Sequence, residues 1–110
     1  MLSIVEIMTQ AVTCPVIANE NDTLGEYCVY SYETTYYNGA RRDVRLKVSV
    51  FADSMARGVE LETALDQALV TLGEDPLTDT CTRCVRNGGG WLIDGDRHIR
   101  IAYYDLTLRA

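Results

Sequence analysis

Apolar and polar residues alternate between Arg41 and Ala52, and this alternation is the clearest pattern in the chain. Every second position there is apolar, at Val44, Leu46, Val48 and Val50. The positions between them are basic or polar, at Arg45, Lys47 and Ser49. Because successive side chains of a strand point to opposite faces, the segment is predicted to be a strand with one apolar face and one basic, solvated face.

The apolar spacing changes to three and four residues between Val59 and Leu72, which predicts an amphipathic helix. Its apolar stripe consists of Leu61, Leu65, Ala68, Leu69 and Leu72. Asp53 or Ser54 is a candidate cap at the start, and Gly73 is placed to end the helix. Since the strand face and the helix stripe both need cover, we expect them to pack against each other.

The N-terminal part of the chain predicts a short helix and a surface loop. Ser3 and Glu6 have the spacing of a capping box, and the helix is expected to end by residues 11–13 because Pro15 disfavours helical geometry just before it. The polar segment from Ile17 to Gly25 predicts a loop.

A tyrosine-rich strand is predicted over residues 26–37. Asn38-Gly39 predicts a two-residue hairpin turn, with positive φ at both residues, that joins it to the alternating strand. Since both arms are long, the hairpin is expected to project beyond the core.

The C-terminal third predicts three strands. They lie at about residues 80–86, 91–93 and 97–108, with a turn at 87–90 between the first two and an Asp94-Gly95 turn before the last. In the last strand the apolar side changes along its length, which predicts a bulge near Tyr104 and Asp105. The whole chain, 1–110, is predicted to be one α+β domain: an antiparallel β-sheet of four to five strands with two helices packed on one face.

Charge and hydropathy narrow the functional classes. The 110 residues carry a net charge of −6, which argues against a nucleic-acid-binding domain taken as a whole. No apolar run approaches the ~20 residues that span a bilayer, and no basic residue precedes the first apolar positions, so a cytoplasmic origin without membrane association is expected. The sheet is predicted to be basic and the helical layer acidic, as suits a protein that binds copies of itself or different partners on different faces.

The cysteines suggest two kinds of chemistry. Cys81 and Cys84 form a CxxC motif, but no helix follows it, and on a strand the two sulfurs would point to opposite faces. A zinc site could combine Cys14, Cys28, Cys81 and Cys84, with His98 as a substitute ligand. The spacing of Cys14 and Cys28 is poor for zinc, so buried thiols are favoured over both a redox motif and a metal site.

No other motif predicts catalysis. His98 alternates with Ile99 on a strand and is expected to face solvent or a neighbouring subunit rather than to act as a base. Asp94-Gly95-Asp96 lacks the remaining ligands of a calcium loop, and the glycines at 88–90 open no helix that could hold phosphate. We therefore expect a non-enzymatic protein without cofactors; an enzyme with a site between subunits is the least favoured alternative.

Aromatic and basic residues around the hairpin are the candidates for a subunit interface or for the lining of a lumen, because Tyr and Arg are enriched at interface cores. They are Tyr30, Tyr32, Tyr36, Tyr37, Arg41, Arg42, Arg45 and Lys47. The alternative for the basic residues is a merely solvated sheet face.

The order of elements resembles the tail-terminator (tail-completion) proteins of long-tailed bacteriophages. The resemblance covers about residues 1–108: an N-terminal helix, the hairpin YCVYSYETTYYNGARRDVRLKVSVFA, the helix LETALDQALVTLG and the final strand RHIRIAYYDLTL. It implies a structural virion protein, assembled in the host cytoplasm, that forms a hexameric ring at the head-proximal end of the tail. Such a ring ends polymerisation of the tail tube protein and contacts the head connector, and DNA passes through its lumen without sequence-specific binding. Another head–tail connector or neck protein, and a small cytoplasmic cysteine-based metal-binding domain, remain the alternatives.

Overall fold

A computed structural model describes residues 3–18, 25–71 and 75–109 of the chain. Its elements in chain order are α1 (Ile4–Ala11), β1 (Val16–Ile17), β2 (Tyr27–Tyr37), β3 (Arg41–Ala52), α2 (Met55–Leu69), β4 (Cys81–Asp94) and β5 (Arg97–Arg109). The strands form one sheet in the order β1-β2-β3-β5-β4. The predicted α+β class is confirmed. No helix in the described ranges has the length and apolarity needed to cross a membrane.

The sheet is mixed rather than wholly antiparallel. β1 runs parallel to β2, with Val16 opposite Cys28, whereas the β2–β3, β3–β5 and β5–β4 pairs are antiparallel. Ile17 was predicted to begin a loop, and this is wrong, because a strand of two residues is too short to leave a periodic pattern. Within the rest of that predicted loop, residues 19–24 lie outside the described residues.

Both helices begin at the predicted kind of cap. Ser3 and Glu6 form the capping box of α1, and the Ser54 hydroxyl accepts a hydrogen bond from the Arg57 amide at the start of α2. α2 begins at Met55, earlier than predicted, and ends at Leu69, since the Thr71 amide donates to the Cys84 carbonyl and so leads the chain into the sheet. The predicted stop at Gly73 lies outside the described residues.

One face of the sheet is covered by both helices, and the core lies between these layers. The predicted apolar face of β3 is fully or almost fully buried against the α2 stripe, which confirms the expected packing. The buried cluster is built on Val44, Leu46, Val48, Val50, Leu61, Leu65 and Leu69, with Met8 of α1 and Tyr104 of β5. We call the helix-covered side of the sheet the helix side and the other side the open face.

The irregularities of the C-terminal strands lie on β4 rather than on β5. Residues 81–94 form one strand with bulges at 81–83 and 86–89, so the predicted turn at 87–90 and the separate strand at 91–93 are both wrong. β5 pairs with β3 without a register shift, and the predicted bulge near Tyr104 is also wrong. Gly88 and Gly89, with φ of +86° and +155°, absorb the irregularity where a residue with a side chain would be strained.

The β2–β3 hairpin reaches the end of a molecule that measures 44 × 22 × 21 Å, and residues 31–42 are exposed. The predicted two-residue turn is wrong in detail, since only Gly39 has positive φ. The Asn38 carboxamide oxygen instead accepts hydrogen bonds from the Ala40 and Arg41 amides, which closes a slightly longer loop.

Candidate subunit interface

The eight predicted interface residues divide between the two sides of the sheet. β3 residues with even numbers point to the helix side, and β2 keeps this phase until a bulge at residue 35 shifts it. Tyr36 then lies opposite Asp43 and Tyr37 opposite Arg42. The helix side therefore receives Tyr30, Tyr32, Tyr37 and Arg42. The open face receives Tyr36, Arg41, Arg45 and Lys47.

Of the three predicted cations on the open face, two are paired within the chain. Arg41 lies 3.1 Å from Asp43 and covers the Tyr36 ring at 5.3 Å, while Arg45 lies 3.3 Å from Asp105 on β5. Lys47 has no carboxylate partner in the described part of the chain and lies beside a shallow depression. The depression is lined by Val29, Ser31, Lys47, Ser49 and Phe51. The pairing of Arg41 and Arg45 makes this group less basic than the sequence predicted, and Lys47 is its member without an ion pair among the described residues.

On the helix side, a groove of about 570 Å³ lies at the hairpin end of the sheet. Its floor is apolar, with Val44, Leu106 and Leu108, and its walls come from the start of α1 and from residues 78–80. Tyr32 and Arg42 both line it, so the structure brings these two predicted residues together. Tyr30, by contrast, is half-buried and packs against the core.

A second exposed apolar surface lies near the β4–β5 turn. Trp91, Leu92 and Ile93 are about half exposed, at 53%, 44% and 53%. Trp91 pairs with Arg100 and Ile93 with His98, so both point to the helix side. The sequence analysis assigned this segment to a short strand but did not predict an interface there; three consecutive apolar residues in a strand were the available signal.

The start of α2 adds to this surface. Met55 and Val59 are exposed and lie on the same stripe of the helix as Glu62, whose carboxylate binds Arg100 beside Trp91. We call Met55, Val59, Trp91 and Ile93 the β4 apolar surface; Leu92, which lies opposite Ile99, points to the open face. The groove and the β4 apolar surface lie toward opposite ends of the sheet, since the register places Leu106 opposite Val44 but Trp91 beside Arg100 and Val50.

Much of the predicted charge separation is satisfied inside the molecule. Arg86 binds Asp66 at 2.8 Å and Glu62 at 3.1 Å, and Arg100 binds Glu62 at 2.5 Å. Tyr104 donates a 2.5 Å hydrogen bond to Asp66, and burial together with this bond raises the pKa of the Tyr104 hydroxyl. These contacts fasten α2 to the sheet, so Glu62 and Asp66 are already paired within the subunit. The sequence analysis, in contrast, expected the acidic helical layer to be free to meet the basic face of another copy.

The cysteines lie in the core as two pairs. Cys14 and Cys28 have their sulfur atoms 3.6 Å apart. Cys81 and Cys84 are both fully buried, because the bulge at residue 82 makes both side chains point to the helix side of the sheet. The prediction that they point to opposite faces is therefore wrong. Within the described ranges, no group of three or more His, Cys, Asp or Glu side chains is arranged to hold a metal ion.

His98 lies half-buried on the helix side, between Ala52 and Ile93 in the register. Its Nδ1 atom is buried without a hydrogen-bond partner in the described residues. Among the described residues, no hydrogen bond joins this atom to an orienting carboxylate, a contact that usually accompanies a general base.

No protein-family model matches this sequence, and no curated protein sequence matches it. The fold is similar to that of a chain in a solved structure described as the virion of a native gene transfer agent (GTA) particle. The TM-score is 0.70 at 14% sequence identity, and the match covers 94% of this chain and 84% of that chain. At this identity the likeness shows a shared fold over almost the whole length of both chains.

Proposed function

We propose that the protein is a structural component of a phage-like virion, and that it ends the tail tube and joins it to the head. The observation that carries the proposal is the fold shared with a virion chain along nearly its full length. The order of elements that resembles tail-terminator proteins is an independent, sequence-based support. The protein would act without a cofactor and without catalysis, first in the host cytoplasm and then in the particle.

The sheet offers a physical basis for a ring. β4 is an edge strand, and beyond Val29 the outer edge of β2 has no neighbouring strand in the described part of the chain. Unpaired edges present rows of free amide and carbonyl groups that can pair with another chain. The β4 edge of one copy would pair with the β2 edge of the next, a head-to-tail contact that closes into a ring when the rotation per copy is suitable.

Two exposed surfaces would be covered in such a contact. The β4 apolar surface flanks one edge, and Tyr32, Tyr36 and Tyr37 flank the other. Aromatic rings in contact with apolar side chains are the usual source of interface energy. Neither surface is needed by the fold of the single subunit, because both remain exposed there.

The open face would then line the lumen. It carries Lys47 and the partly neutralised Arg41 and Arg45, while the helices lie on the outer side. A small number of unpaired cations beside DNA gives weak, salt-sensitive and sequence-independent attraction, which permits the duplex to slide.

The oligomeric state, alone and with purified tail tubes, tests the proposal. Native mass spectrometry should detect a ring, with six copies expected, and negative-stain electron microscopy should show it bound at one end of the tubes. Tubes polymerised in its presence should stop growing. A monomer that leaves tube length unchanged and binds no tube end would contradict the proposal.

A different head–tail connector or neck protein is the second candidate, because the shared fold alone does not distinguish among virion chains. Such a protein should bind purified head connectors and should not stop growing tubes. The cysteine-based metal-binding domain has less support, since the described residues hold no suitable ligand cluster.

A further inference from the structure

Two thiols from different parts of the chain meet at the edge of the core. Cys14 follows the C-terminal end of α1, Cys28 is the second residue of β2, and their Sγ atoms are 3.6 Å apart. We propose that Cys14 and Cys28 are a site of reversible thiol–disulfide exchange, which closes to an intramolecular disulfide when the protein meets a small disulfide such as oxidised glutathione. This goes beyond the proposed function and does not depend on it.

The backbone already holds the two segments side by side. The Cys28 amide donates a 2.8 Å hydrogen bond to the Pro15 carbonyl, and the next residues pair in register, with Val16 opposite Cys28. The sulfur atoms must approach to a bond length of about 2.0 Å. Because the chains are neighbours before the reaction, side-chain rotation and small backbone adjustments supply most of this approach.

Arg57 of α2 contacts both of these segments. Its Nη2 atom donates to the Thr13 hydroxyl at 2.6 Å, and its Nε atom donates to the Glu26 carboxylate at 2.9 Å. Thr13 adjoins one cysteine, and Glu26 precedes the other by two residues. One guanidinium group therefore restricts the relative motion of both cysteine-bearing segments.

The pair is asymmetric in a way that sets the order of reaction. Cys28 is fully buried, whereas Cys14 is 9% exposed and is the thiol that a small disulfide reaches first. The hydrogen bond from Cys28 lowers the pKa of the Cys14 thiol, which increases the fraction present as the nucleophilic thiolate.

The chemistry balances in two steps. The Cys14 thiolate attacks one sulfur of oxidised glutathione, breaks its S–S bond, releases one glutathione thiolate and forms a mixed disulfide. Cys28 then loses its proton to solvent and attacks the Cys14 sulfur, which releases the second glutathione thiolate. The pKa of Cys28 is raised chiefly by its hydrogen bond to Cys14. Because the first step converts the Cys14 thiolate to a mixed disulfide, it removes this cause and makes Cys28 easier to deprotonate. Two protein thiols are oxidised, and one glutathione disulfide is reduced to two thiols.

Cys81 and Cys84 form a control within the same chain. Both are fully buried, and the Cys81 thiol donates to the Arg83 carbonyl at 3.2 Å rather than to a second sulfur. Burial raises the pKa of Cys81 and raises the pKa of Cys84 to about 12, so both stay protonated and protected in the folded protein.

The experiment incubates the native full chain with oxidised glutathione, blocks remaining thiols after acid quenching, and digests without reduction by a protease that cleaves after glutamate. Cleavage at Glu20 and Glu26 separates Cys14 from Cys28, so peptides 7–20 and 27–33 stay joined only through a disulfide. The expected product carries this link, has lost two hydrogens, keeps two blocked thiols elsewhere, and returns to the starting mass with dithiothreitol.

Variants test the order of attack. Cys28→Ser should stop at the glutathione adduct on Cys14, whereas Cys14→Ser should leave Cys28 unmodified, and Cys84→Ser should still form the link. Circular dichroism checks that each variant is folded, and the wild-type result stands even where a variant is not. Four unmodified thiols in the native wild-type chain, or a link that includes Cys81 or Cys84, would overturn the proposal. Either result leaves the assembly experiments unaffected.

Discussion

The hydroxyl of Tyr104 in β5 donates a 2.5 Å hydrogen bond to the carboxylate of Asp66 in α2. It joins the fully buried aromatic side chain of Tyr104 to the helix that covers the sheet. Tyr104→Phe leaves this carboxylate with one donor fewer, and we expect a loss of about 1.5–3 kcal/mol in the free energy of unfolding, as for a hydrogen bond to a charged group. Urea denaturation measures it.

Tyr103→Phe is the matched control for that change. Tyr103 is the preceding residue on the open face, and its hydroxyl has no hydrogen-bond partner in the described ranges. Its removal should change the free energy of unfolding by less than about 0.5 kcal/mol. Equal losses in the two variants would mean that the bond to Asp66 contributes nothing specific.

Stability should fall in mildly alkaline solution because of Cys84. Burial raises the pKa of this thiol from 9.0 to about 12. Between these values the unfolded chain has lost the proton and the folded chain still binds it, so the free energy of unfolding decreases as pH rises, by up to about 1.4 kcal/mol per pH unit for this group. Below pH 9 the group contributes no pH dependence.

Cys84→Ala tests the assignment in denaturation curves recorded from pH 8 to 11 with a reductant present. The variant is expected to be less stable at neutral pH, because it leaves a small cavity, but to show a shallower decline above pH 9. An unchanged slope would show that other groups, such as Tyr104 with its raised pKa, cause the decline.

Gly89 and Gly90 should respond in opposite ways to alanine. A Cβ atom on Gly89 would collide with the Ile101 carbonyl and the Arg86 side chain, and its φ of +155° disfavours a side chain. We expect Gly89→Ala to cost about 1–3 kcal/mol. Gly90 has open space around its Cβ position, and Gly90→Ala should be neutral or stabilise by up to about 1 kcal/mol. Thermal unfolding of both variants provides the comparison.

Trp91 should contribute to assembly but not to folding. It is 53% exposed in the single subunit, and Trp91→Glu places a charge in the proposed contact, which we expect to weaken each interface by at least about 2 kcal/mol. Sedimentation velocity should then show a shift from ring to monomer. Thr63→Glu, on an exposed position of α2, is the control and should assemble as the wild type does. Loss of assembly in both variants would point to net charge rather than to the β4 apolar surface.

The regular elements were predictable because their periodicity matches their environment. The alternation in β3 and the apolar stripe around Leu61 and Leu65 arise because one side of each element is buried. Ser3 and Ser54 indicate where the helices begin, because each accepts a local hydrogen bond from the first turn of its helix. The positions of the bulges on β2 and β4 could not be predicted. An extra residue reverses the side to which every later residue of the strand points, but it leaves the composition of the strand unchanged. The contact of Cys14 with Cys28 depends on a parallel strand of two residues, which carries no pattern.

The predicted interface set could not be divided by face from the sequence. A strict alternation would have put Tyr36 and Arg42 on one side, and the bulge at residue 35 reverses this. The pairing of Arg86 and Arg100 with α2 was likewise hidden, because charges that look segregated along a chain can meet in the folded molecule.

Tyr36 and Tyr37 give the end of the hairpin an aromatic ring on each of its two sides, because successive side chains of a strand point to opposite faces. Tyr36 points one way and Tyr37 the other, within a single step of the chain. A partner that surrounds this end of the hairpin can therefore contact both rings, whereas a partner with a flat surface can contact only one of them. Because Thr35 is the unpaired residue of the bulge, its deletion would leave Tyr36 opposite Asp43 and Tyr37 opposite Arg42, so both rings would keep their sides.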